Sequence, residues 1–61
     1  MIIPDFSKNT ENETLMYFEC DGNEKILMDA LEDAYPGFSS MNAVVDNGKK
    51  YICLHMSYSD F

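Results

Sequence analysis

Between Thr14 and Cys20 the chain reads Thr-Leu-Met-Tyr-Phe-Glu-Cys, with apolar and aromatic side chains at consecutive rather than alternate positions. Such a run suits a strand covered on both faces. The period then changes. From Gly22 to Tyr35, Leu27, Ala30, Leu31 and Ala34 recur on one stripe at helical spacing, with Ile26, Met28 and Tyr35 at its margins, which predicts an amphipathic helix. Asp21 and Glu24 have the spacing of a capping box at its start. Pro36 pushes Tyr35 out of helical geometry, and Gly37 follows.

Strict alternation appears only after the helix. Asp46-Asn47-Gly48-Lys49 is the strongest local signal, because Asn-Gly accepts the positive φ angles of a two-residue type I′ turn. Pairing Asp46 with Lys49 sets Ala43 opposite Ile52 and Met41 opposite Leu54. Met41, Ala43, Val45, Ile52, Leu54 and Met56 then share one face, and Ser40, Asn42, Val44, Tyr51, Cys53, His55 and Ser57 the other. This partition predicts strands over Ser40 to Asp46 and Lys49 to Tyr58.

The N-terminal stretch carries less pattern. Ile2, Ile3 and Phe6 flank Pro4, which limits them to an edge if they pair at all, and Ser7 to Glu13 is polar throughout and reads as a loop or loose arm. The expected fold is therefore a single small α+β domain over residues 1–61, with 1–13 an edge segment or flexible arm. Its order is βαββ, a three-stranded mixed sheet with one helix packed on one face. The first two strands run parallel through the helical crossover, and the long last strand lies between them, antiparallel to both.

Composition narrows the partners. Eleven carboxylates stand against four basic side chains, all lysine, for a net charge of -7. That field repels phosphate backbones and anionic lipid and attracts basic surfaces. Without arginine the bidentate fork that grips phosphate is missing. No run approaches the roughly 20 apolar residues that span a bilayer, no basic leader precedes a long apolar run, and no CxxC pair is present, so the reading is a soluble, cytoplasmic protein with Cys20 and Cys53 as free thiols. A chain of 61 residues leaves little room for a deep substrate cavity.

Two surfaces carry candidate chemistry. Lys25, Asp29, Glu32 and Asp33 fall on the helical arc opposite the apolar stripe. Asp29 and Asp33 repel each other at i,i+4, and acids near a helix C-terminus oppose its dipole, so the arrangement gains nothing locally and suits a basic partner. A solvated, solubilising face is the plainer account. The second surface is the sheet face away from the helix, where Tyr51, Val44 and His55 lie with either Leu15 and Tyr17 or Met16 and Phe18. It could be covered by Ile2, Ile3 and Phe6, or by a second copy.

Cys53 and His55 point from the same strand face, which raises a thiol-dependent enzyme, but no third orienting group or oxyanion feature accompanies them. Cys20, Cys53, His55 and a carboxylate have the ligand types of a zinc site, but their spacing matches no recognised pattern. No cofactor is implied. The expectation is a small acidic, non-enzymatic protein-binding module, an inhibitor or antitoxin-like protein of the kind phages and mobile elements carry. It would block a basic or nucleic-acid-binding protein surface, with carboxylates standing in for phosphates, without binding nucleic acid directly. Its proposed contacts are Asp29, Glu32, Asp33, Tyr51 and His55. The rivals are a self-associating structural module and, further off, a metal- or thiol-dependent enzyme.

Overall fold

A computed structural model describes residues 2–57 of the chain. Within them lie β1 (Phe6–Asn9), β2 (Glu13–Glu19), α1 (Glu24–Ala34), β3 (Ser40–Asp46) and β4 (Lys49–Ser57). The expected strand end at Tyr58 lies outside the described residues. The strands form one sheet in the order β1-β2-β4-β3, and every neighbouring pair is antiparallel. The sheet thus has four strands, not three. It is antiparallel rather than mixed, because β2 and β3 run in the same direction but never touch; β4 separates them.

The hairpin register is the expected one. Asp46 pairs with Lys49, Ala43 with Ile52 and Met41 with Leu54. Asn47 (φ 56°) and Gly48 (φ 79°) supply the left-handed pair that a type I′ turn needs. The same alternation continues into β2, where Met16 pairs with Leu54 and Phe18 with Ile52. Met16 and Phe18 therefore point to the helix, and Leu15 and Tyr17 to the other side.

The polar run after Phe6 is not a loop. Phe6, Ser7, Lys8 and Asn9 pair in order with Tyr17, Met16, Leu15 and Thr14. The turn between β1 and β2 is closed by the Thr10 hydroxyl, which accepts from the Glu13 N–H at 3.1 Å, and by the Thr10 N–H donating to the Glu13 carbonyl at 2.9 Å. Ahead of β1, the Asp5 N–H donates to the Tyr17 carbonyl at 2.8 Å and the Asp5 carboxylate accepts from the Glu19 N–H at 2.6 Å.

The helix is shorter than Gly22 to Tyr35 and starts differently from the expectation. Asn23, not Asp21, is the N-cap residue, its carbonyl accepting the first helical bond from the Leu27 N–H at 2.9 Å. The Asn23 side chain faces backward and accepts from the Asp21 N–H at 3.1 Å. Glu24, freed from a capping role, reaches across to Lys50 Nζ at 2.7 Å. At the other end Tyr35 is the C-cap, as Pro36 demands.

Leu31, Ile52 and Leu54 are fully buried, with Met16, Phe18 and Cys20 completing the core beneath the helix. Burying each such side chain stabilises the fold by about 1.5–3 kcal/mol. Leu27, Met28, Tyr35, Phe38, Met41, Met56 and Ile2 pack around this cluster, and the Tyr35 hydroxyl ties Ile2 in place by donating to its carbonyl at 2.9 Å. The buried stripe is thus narrower than the apolar one. Ile26 is 74% exposed, and Ala34 is exposed as well.

Candidate functional site

The helix lies over β2 and β4 and leaves the inner face of β3 only partly covered. Met41 packs against the core, but Ala43 is exposed and Val45 is 72% exposed. Between the helix and β3 runs a groove of about 680 Å³, floored by Met28, Phe38 and Met41 and walled by Glu24, Asp29 and Glu32. Lys25 is the cation on its lining. It pairs with Asp29 at 3.9 Å, with both side chains largely in water, so the pair contributes at most about 0.5 kcal/mol and leaves the wall acidic.

Of the three helical acids proposed from the sequence, Asp29, Glu32 and Asp33 are all exposed, but only Asp29 and Glu32 line this groove. Asp33 turns from it. Glu24 joins them, and its role was hidden in the sequence because its spacing from Asp21 reads as a cap. The apolar floor was equally hidden. Phe38 lies in the connection between helix and strand, where no period identifies a buried position.

The opposite sheet face is largely closed by its own side chains. Phe6 stacks on Tyr17 with ring centroids 4.6 Å apart and meets Tyr51 edge-on at 5.2 Å, while Tyr17 meets Tyr51 at 6.4 Å. Lys8 Nζ lies 5.5 Å from the Tyr17 ring centroid. Tyr51 is 8% exposed as a result and has little surface to offer a partner. Ile2 does not share in this cover; it packs on the helix side. His55 is half-buried, and its Nε2 meets the Glu13 carboxylate at 3.0 Å.

Cys53 and His55 share a face but not each other. His55 is held by Glu13, and Cys53 sits opposite Tyr17 in the ladder between β2 and β4. Burial first, then that thiol, raises the Tyr17 phenol above its ordinary pKa. Cys20 lies in the core on the other face of the sheet, so it joins neither an ion nor a disulfide with Cys53, and both thiols are free. Burial raises the Cys20 pKa, with Glu24 adding to the effect, which keeps it a protonated packing group. Among the described residues no three of His, Cys, Asp and Glu converge as metal ligands, and no helix is long and apolar enough to cross a membrane.

Compared with protein-family models, with curated proteins and with solved structures, the chain matches none.

Proposed function

We propose that the protein is a non-enzymatic binding module whose acidic helix face engages a basic surface of another protein, as an inhibitor or antitoxin does. One observation carries the reading: Glu24, Asp29 and Glu32 wall an apolar-floored groove in which Lys25 is the lining cation. Glu24 is engaged by Lys50, but Asp29 holds only the exposed pair with Lys25, and Glu32 sits in the last helical turn, where the dipole disfavours an acid. A basic partner would offset that repulsion. The aromatic face competes poorly for the role, since Phe6 and Tyr17 already cover Tyr51.

The partner class that fits best is a protein with a lysine- or arginine-rich patch, such as one that holds nucleic acid. Attraction of this kind steers association and weakens as salt screens it. The test is affinity capture from the source cells at low salt, using the native chain and the variant with Asp29→Lys, Glu32→Lys and Glu24→Gln. The native chain should retain basic proteins that elute as salt is raised, and the variant, with circular dichroism unchanged, should lose them. Equal capture by both chains removes the reading.

A further inference from the structure

The outer edge of β3 borders the acidic groove, and the two features together specify a mode of binding. An antiparallel ladder exchanges hydrogen bonds at every second position, and a two-residue turn makes its flanking pair, here Asp46 and Lys49, an exchanging one. Counting back in twos puts Val44 and Asn42 on the bonded side. The N–H and C=O groups of Met41, Ala43 and Val45 therefore point away from β4, and no strand among the described residues lies beyond them.

Natural edges are guarded by lysine, proline, shortness or a bulge. β3 has none of these guards: it is seven residues long, reads Ser-Met-Asn-Ala-Val-Val-Asp and pairs with β4 without a bulge. We infer that β3 accepts an extended segment of a partner protein as a fifth strand, and that the segment alternates lysine or arginine with apolar side chains. This inference rests on the acidic-face reading and names the shape its partner takes.

The alternation follows from the two sides of β3. A side chain of the added strand on the helix side would lie beside Met41, Ala43 and Val45 and extend toward the carboxylates of Asp29 and Glu32, Glu24 being engaged by Lys50. Lysine and arginine suit that position, with an aliphatic stem on apolar surface and a charged head at an acid. On the other side the neighbour is Val44, half-buried beside Tyr51, which suits an apolar side chain. Main-chain pairing would supply affinity and the alternate side chains selectivity. A second copy fits poorly, because β3 carries no basic residue and two chains of net charge -7 would set acidic walls side by side.

The probe is a set of acetylated, amidated seven-residue peptides with lysine at every second position and valine, isoleucine or phenylalanine between, titrated into the isotopically labelled chain. Binding should protect the Met41, Ala43 and Val45 amides from exchange and weaken with salt. N-methylation of alternate peptide residues gives two series, each blocking one edge of the added strand. One series should lose affinity by about tenfold or more and the other should keep it.

If both methylated series bind like the parent while salt still weakens them, the edge is not used and the acidic reading stands alone. If one series is selectively lost but Glu24→Lys, Asp29→Lys and Glu32→Lys leave binding unchanged, the acidic reading fails and the basic partner fails with it. Absence of binding across the set, equal loss in both series, or protection of the same amides by a dimer seen in sedimentation each overturns the strand-addition proposal.

Discussion

The two edges of the sheet are built on opposite plans. β1 is four residues long, and the segment leading into it is fixed to both faces of the domain. Ile2 packs under the helix side with its carbonyl bonded by Tyr35, while Phe6 crosses to the other face and stacks on Tyr17. Asp5 bonds the backbone of β2 between them. β3 has seven residues and no such ties: Val45 and Ala43 lie open on its inner side, and its only ionisable side chain is Asp46 at the turn. One edge is sealed by aromatic packing and the other is left accessible beside an acidic wall. A 61-residue domain has little stability to spare, so a bare apolar edge is a cost that binding would offset.

The largest effect that sharpens this contrast is expected from Phe6→Ala. It removes the ring that covers Tyr17 and Tyr51, and it should cost about 2–3 kcal/mol in urea unfolding, below the range for a fully buried phenylalanine because Phe6 is half-buried. A loss under about 0.5 kcal/mol would mean that β1 does not seal its edge, and the contrast would break.

A second test uses pH. The Cys20, Tyr17 and Lys50 pKa values are all raised from their ordinary 9.0, 10.0 and 10.5, the first two by burial and Lys50 by its hydrogen bond with Glu24. A raised folded-state pKa gives stability that is complete below the unfolded value and is lost as pH climbs through the folded one. All three therefore act in the same direction. Urea midpoints should hold between pH 7 and pH 8 and fall from about pH 9 upward, and Tyr17→Phe should remove its share of the fall. A midpoint that rises with alkalinity contradicts the packing of Tyr17 under Phe6.

The smallest effect should come from Val45→Lys, which guards the open edge. Stability should change by no more than about 0.5 kcal/mol, because the side chain is already exposed. Affinity for the alternating lysine peptides, followed by titration, should fall, because the new ammonium stands where a partner lysine would lie. A loss above about 1 kcal/mol would show that β3 packs where it is described as open.

Much of this fold was legible in the residues, and the gaps have physical causes. The hairpin register follows from Asn47-Gly48 and the alternation around it, and the central place of β4 from its length. β1 left almost no trace because Ser7, Lys8 and Asn9 are polar on both sides, and an edge strand without a cover needs no apolar period; its pairing is written in backbone groups that every residue carries. The helix start was misread because Asp21 and Glu24 have cap spacing, whereas Asn23 takes the cap and Glu24 pairs with Lys50. The candidate site was legible only as charge. Asp29 and Glu32 follow from helical geometry, but the groove depends on how far the helix stops short of β3, which no periodicity encodes. Tyr51 looked available because the resting place of Phe6 is set by packing rather than by pattern.

The ladder between β2 and β4 is the strand pairing that joins the two hairpins. β1 with β2 and β3 with β4 are hairpins that neighbours in sequence can close within about 1–10 μs. The central joint must bring Glu19 to Tyr51 and Glu13 to Ser57 across the whole helix before Phe18 can meet Ile52. Its closure entropy is spent before any core contact rewards it. Substitutions at this seam, such as Phe18→Leu, are therefore expected to slow refolding more than substitutions in either hairpin turn, which stopped-flow refolding would read.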